Sequence, residues 1–140
     1  MKNTPLSFLL FAAVVTSGLS PALHATSNYE YKPDEYVVIA DGKAPNGQYA
    51  IAAHGEGELG DENFHLYLMD AKTGKVIDPL GEVKDPLDTG AEAFRARWSA
   101  DSRQVSITYR VDRRESVMVR YRVENGRAIL ISGPKKVAGG

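Results

Sequence analysis

Arginine is the residue type whose number and spacing suggest chemistry in this chain. All nine arginines lie between Arg95 and Arg127. Five of them, Arg95, Arg97, Arg110, Arg120 and Arg122, fall on one side of an alternating pattern. Phe94, Ala96 and Trp98 oppose Arg95 and Arg97. Val105, Ile107, Tyr109 and Val111 oppose Ser106, Thr108 and Arg110. Val117, Val119, Tyr121 and Val123 oppose Met118, Arg120 and Arg122. Such alternation marks strands with one dry face and one wet face. A planar guanidinium matches phosphate or carboxylate oxygens two at a time. The chemistry this face offers is therefore anion binding.

Other chemistry is thinly represented. His54, Glu56, Glu58, Asp61 and Glu62 form an acidic, glycine-containing stretch between His54 and Asn63. Oxygen ligands on a flexible loop suit calcium, but the spacing matches no calcium-loop motif, so a solvated loop is the expectation and no metal is assigned. Glu56 and Glu58 pair as carboxylates with nothing nearby in sequence to raise a pKa. His65 sits mid-strand, opposite in parity to Phe64, Leu66 and Leu68, and reads as a surface or interface residue. No nucleophile elbow accompanies the serines. There is no cysteine, hence no disulfide, no thiolate nucleophile and no thiolate metal ligand. No pattern implies a cofactor, and no catalytic residue is assigned.

Charge is divided unevenly along the chain. Thr26 to Glu92 holds fourteen acids against five lysines, net −9; Ala93 to Gly140 holds four acids against nine arginines and two lysines, net +7. The N-terminus reads as an export signal over residues 1–25. Lys2 supplies the positive start, Leu6 to Val15 is an apolar run too short to span a bilayer, Pro21 breaks it, and Leu23-His24-Ala25 offers a cleavage site. The expectation is a periplasmic or secreted protein with no transmembrane segment after cleavage. Nucleic acid is a poor partner for an exported chain of overall negative charge.

The elements that must position the arginines are short strands. After a polar leader (26–35), Tyr36 to Ala40, Tyr49 to Ala53, Phe64 to Asp70 and a strand beginning at Val76 form a first unit, 36–80. A connector, 81–93, follows; the Asp-Pro-Leu triplets at Asp78 and Asp85 exclude a central strand there. Phe94 to Trp98, Val105 to Val111, Val117 to Val123 and Ala128 to Ile131 form a second unit, 94–132. Asn125-Gly126 is a strong hairpin signal. Residues 133–140 read as a flexible tail. The predicted fold is all-β, two four-stranded antiparallel meanders arranged as a blade-like pair or a sandwich. Asn46 aligns with Asp101 at an offset of 55, and Gly74 with Gly126 at 52. In the first unit the strands are apolar on both faces, so its free face is expected to be covered by the leader or by a second copy of the chain.

Trp98-Ser99-Ala100-Asp101-Ser102-Arg103, followed by an alternating strand, resembles the WD-like repeat of TolB-type periplasmic β-propellers. There a Trp-Ser-Pro-Asp-Gly-Lys turn joins the first two strands of a four-stranded blade. Leu66-Tyr67-Leu68-Met69-Asp70-Ala71-Lys72-Thr73-Gly74 resembles the third strand and final turn of such a blade. Ala100 and Ser102 replace the usual Pro and Gly, and two units cannot close a ring of roughly four to eight blades. The resemblance implies the strand order and a role in binding partners on a scaffold. A fainter similarity is to small periplasmic lysozyme inhibitors, although Asp112-Arg113-Arg114-Glu115 stands where their Gly/Ser-rich inhibitory loop is expected.

The sequence thus points to an exported, non-enzymatic binding or interaction domain of the cell envelope. It would recognise a protein or an anionic envelope component through Arg95, Arg97, Arg110, Arg120 and Arg122; a periplasmic inhibitor of a hydrolase is the alternative. Like charges directly opposed across strands destabilise a sheet. The arginine row is therefore expected to be compensated, either by acids of the first unit and connector or by an external anion.

Overall fold

The computed structural model describes residues 28–137, so the expected export signal lies outside the described residues. Eight strands follow in order: β1 (Val37–Lys43), β2 (Tyr49–Glu56), β3 (Glu62–Asp70), β4 (Val76–Pro79), β5 (Phe94–Trp98), β6 (Gln104–Arg110), β7 (Ser116–Glu124) and β8 (Arg127–Val137). A single 3-10 turn, Ala91–Ala93, precedes β5. The fold is all-β, as the period-two pattern predicts. β1 to β4 form one antiparallel meander and β5 to β8 another.

The two meanders share one sheet, in the order β4-β3-β2-β1-β5-β6-β7-β8. They meet edge to edge at a parallel contact, where Ala40 lies opposite Arg95. The sheet curls until the outer strands β4 and β8 approach each other. Its concave side holds one core. Ile39, Ile51, Leu66 and Leu68 of the first unit pack there with Phe94, Ile107, Val119 and Tyr121 of the second. Phe94, fully buried, stacks on Phe64 with ring centroids 5.6 Å apart, joining the units across the interior.

The turns β1–β2 and β5–β6 are the same structure twice. Ala44 N–H donates to Tyr49 O as Ser99 N–H donates to Gln104 O; Gly47 N–H donates to Ala44 O as Ser102 N–H donates to Ser99 O. Asn46 Oδ1 accepts from Gln48 N–H at 2.9 Å, and Asp101 Oδ1 accepts from Arg103 N–H at 3.0 Å. Each is an Asx turn, in which a short polar side chain takes the place of a backbone acceptor. The copies also touch: Asn46 N–H donates to Ser102 Oγ at 3.0 Å. Ser102 stands where the WD-like pattern has glycine, and it holds the left-handed φ of 61° that the turn demands. Its hydroxyl ties one turn to the other.

A bulge in β1 distinguishes the copies. Asp41 has φ 55°, and the β1–β2 register slips between Val38 and Lys43. This is an extended bulge: Val38 to Lys43 covers five residues where the paired Ala52 to Ala50 covers two, and the odd excess of three reverses the parity beyond it. Ile51 and Ala53 consequently face the core, whereas Ser106 and Thr108, their counterparts at the 55-residue offset, lie on the outer side with the arginines. Asp41 and Gly42, expected to end the first strand, instead lie inside it.

Cover for the outer face of the first unit comes from within. Ala50 and Ala52 are buried beneath Tyr36 and Met69. Tyr36 stacks on His54 at 4.3 Å and meets Tyr67 edge-on at 5.2 Å. Val38 and Ile77 remain 43% and 40% exposed there. The leader goes elsewhere: Tyr31 is buried in the core, and its hydroxyl donates to Thr89 O at 2.5 Å.

The connector is latched across the open end of the curl. Tyr121 Oη donates to Gly81 O, and Tyr109 Oη accepts from Lys84 N–H at 3.0 Å. Leu87 N–H donates to Arg110 O at 2.8 Å, and Thr89 Oγ1 donates to Leu59 O at 3.2 Å. Burial pushes the phenols of Tyr31, Tyr121 and Tyr109 above the ordinary tyrosine range. At the other terminus β8 runs on to Val137, so residues 133–137 are strand where a flexible tail is expected.

Candidate arginine face

Arg95, Arg97, Arg110, Arg120 and Arg122 are all exposed on the outer side of the second unit. The cause is local: every alternate residue of β5, β6 and β7 is held in the core, which turns the intervening side chains to water. The registers then decide which arginines meet. Arg95 is opposite Thr108, and Arg97 opposite Ser106. Ser106 is opposite Arg120, and Gln104 opposite Arg122. No two arginines oppose each other directly, so the repulsion expected of a continuous row is largely avoided. Arg97, Ser106, Arg120 and Ser132 form one transverse row. The two arginine backbones in it stand about 10 Å apart, two strand spacings.

Compensation differs from one arginine to the next. Arg95 Nη1 lies 2.7 Å from Asp41 Oδ2, so the bulge that reverses the first unit also delivers an acid to the second. Arg122 Nε lies 3.2 Å from Glu124 Oε2 on its own strand. Both pairs are well exposed, and such pairs contribute little stability. Arg110 Nη2 donates to Arg113 O at 3.0 Å. Arg97 and Arg120 are in ion-pair contact with no carboxylate among the described residues. They border a shallow depression of about 170 Å³ floored by Ser106 and flanked by Trp98, Ser99 and Gln104. Trp98 itself packs against the core, and its indole N–H donates to Gly42 O at 3.0 Å.

Two further arginines join the face from a turn. Arg113 and Arg114 border, with Arg110 and Ser116, a cavity of about 480 Å³ between the ends of β6 and β7. Strand alternation does not reveal them, because they lie in the turn; the Arg-Arg pair inside Asp112–Glu115 is the signal that marks them. A further concavity, about 690 Å³, lies where the twin turns meet the β7–β8 hairpin. It mixes both signs, with Arg103 and Arg122 beside Asp101 and Glu124. Asp101 is held below the ordinary carboxylate range by the Ser99 hydroxyl and by Arg103 N–H.

The acidic stretch is arranged differently from a cation site. Its free loop is only residues 57–61, since β2 and β3 extend into it. His54 is buried and turned away, with Nδ1 2.6 Å from Glu35 O. Among the described residues no three histidine or acidic side chains gather as metal ligands. His65 lies opposite His54, with its ring 5.8 Å from Tyr67. Among the described residues no helix is long and apolar enough to cross a membrane. Comparison with known protein families, curated proteins and solved structures finds no match.

Proposed function

We propose that this chain is an exported, non-enzymatic binding domain of the cell envelope that recognises an anionic partner through the outer face of its second unit. The observation that carries the reading is the Arg97–Ser106–Arg120 row: two exposed guanidiniums flanking a hydroxyl, without an acid in ion-pair contact among the described residues. Each guanidinium keeps its planar fork free for two oxygens of a carboxylate, sulfate or phosphate. A rigid sheet fixes the spacing of the forks, so little side-chain order remains to be imposed on binding beyond the arginines themselves. The apolar run behind Lys2 supports export, and the twin Asx turns support descent of both units from one WD-like repeat.

The test is retention on dextran sulfate at low and at moderate salt. Wild-type protein is retained at low salt and elutes as salt is raised, because screening shortens the reach of exposed charges. Arg97→Glu combined with Arg120→Glu lowers the salt at which the protein elutes while leaving the circular dichroism spectrum unchanged. Equal retention of the double variant, or no retention of wild type at low salt, overturns the reading.

A further inference from the structure

We infer that the β6–β7 turn holds a phosphate-group site built from Arg110, Arg113, Arg114 and Ser116. This deepens the anionic-partner reading and rests on it only for the sign of the ligand's charge. The four residues border a cavity of about 480 Å³, and no acid borders it. Yet the turn contains two acids. Asp112 Oδ1 is occupied by Arg114 N–H at 2.8 Å, which folds the carboxylate into the turn as an Asx cap. Glu115 Oε2 is occupied by Lys136 Nζ at 2.7 Å, on the neighbouring strand β8. The hydrogen bond that Lys136 donates to Glu115 raises the Lys136 pKa, so the ammonium stays charged. Both acids are thus committed, and among the described residues neither pairs with a guanidinium of the turn.

The cations are also partly ordered in advance. Arg110 Nη2 donates to Arg113 O at 3.0 Å, closing a link from strand to turn. A guanidinium has five donors, so this bond leaves the others free for a ligand. Arg110 O is fixed in turn by Leu87 N–H of the connector. Three guanidiniums and one hydroxyl around a single cavity suit a tetrahedral dianion, whose oxygens can be met from several sides. A carboxylate, planar and singly charged, would satisfy one fork and leave the others unused. The ligand class is therefore a phosphate monoester, whether carried by a soluble metabolite or by a lipid headgroup. The site is separate from the Arg97–Arg120 row: Ser106 and Arg110 are four residues apart on β6, about 13 Å.

The experiment is an NMR titration with glycerol phosphate, read at backbone amides and arginine Nε–H groups. A flotation assay with phosphatidylcholine vesicles containing phosphatidic acid runs beside it. Saturable shifts are expected at Arg110, Arg113, Arg114 and Ser116, with acetate at equal ionic strength giving none. Arg113→Lys with Arg114→Lys keeps the charge and removes the forks. It should weaken binding about tenfold, the factor for one lost charge-assisted hydrogen bond. Arg97→Glu with Arg120→Glu should leave glycerol phosphate affinity within about twofold, as expected for sites this far apart. Flotation lost in the lysine variant identifies a headgroup; saturable shifts without flotation identify a soluble phosphate. Shifts that stay linear, spread evenly over all arginines, or survive the lysine variant unchanged overturn the site. The row variant separates the two ideas: weakened dextran sulfate retention with intact phosphate shifts upholds both.

Discussion

Ser102 shows at a single position how the two units are joined. It adopts φ 61° and accepts the Asn46 N–H. A non-glycine residue in the left-handed region costs about 1–2 kcal/mol. Ser102→Ala keeps that cost and removes the acceptor, so it should destabilise the protein by about 1 kcal/mol or more. Ser102→Gly removes the acceptor but relieves the backbone, and should lie closer to wild type. Urea denaturation of both variants checks the order; an alanine variant as stable as the glycine variant would show that the backbone strain is not felt. Phe94 is the matching test in the core. It is fully buried between the units, and Phe94→Ala should cost about 3–5 kcal/mol through the cavity it leaves.

Among the elements, β5, β6 and β7 were legible because their two faces differ chemically: arginine, serine and threonine on one side, large apolar groups on the other. Every arginine of the expected face lies where that alternation puts it. In β1 and β2 the faces are alike, for alanines are small enough to be buried on either side, and the parity could not be read. Asp41-Gly42 looks like a turn because bulges use the same residues. The end of β8 was hidden for another reason. Gly133, Pro134, Lys135 and Lys136 argue against a central strand, but β8 lies at the edge of the sheet order, where proline and lysine are tolerated and discourage further pairing. Arg113 and Arg114 escaped because the rule that found the other arginines applies only within strands. The bulge itself can be tested. Deleting Asp41 would leave β1 with an even excess of two residues over β2 and so remove the parity reversal that accompanies Ile51 and Ala53 facing the core. Loss of the cooperative urea transition is expected; a deletion variant with wild-type stability would contradict the proposed role of the bulge.

Across the whole molecule, the tyrosine latch ties stability to alkaline pH. Tyr31, Tyr109 and Tyr121 each have a folded-state pKa above the ordinary 10.0, chiefly through burial. A raised pKa means that their contribution is complete below pH 10 and is lost as the pH climbs above it, because the unfolded chain releases its protons first. Urea midpoints should therefore be flat from neutral pH to about pH 9 and fall beyond it. Tyr121→Phe should cost about 1–2 kcal/mol at neutral pH, since it leaves the Gly81 carbonyl without its donor. It should also flatten part of the alkaline decline. An unchanged alkaline profile in that variant would place the sensitivity elsewhere.

The seam between the meanders also has a consequence in time. Within each meander every strand pairs with its neighbour in the chain, whereas β1 and β5 meet through one parallel pair, Ala40 with Arg95. Contacts between chain neighbours are quick to find, and contacts across a long loop must first overcome closure entropy. The halves are thus placed to organise independently, with the seam and its latch closing last. Interactions formed after the rate-limiting barrier govern how fast a protein comes apart more than how fast it forms. Severing the latch with Tyr121→Phe should accordingly shorten the lifetime of the folded state while leaving its rate of formation nearly unchanged.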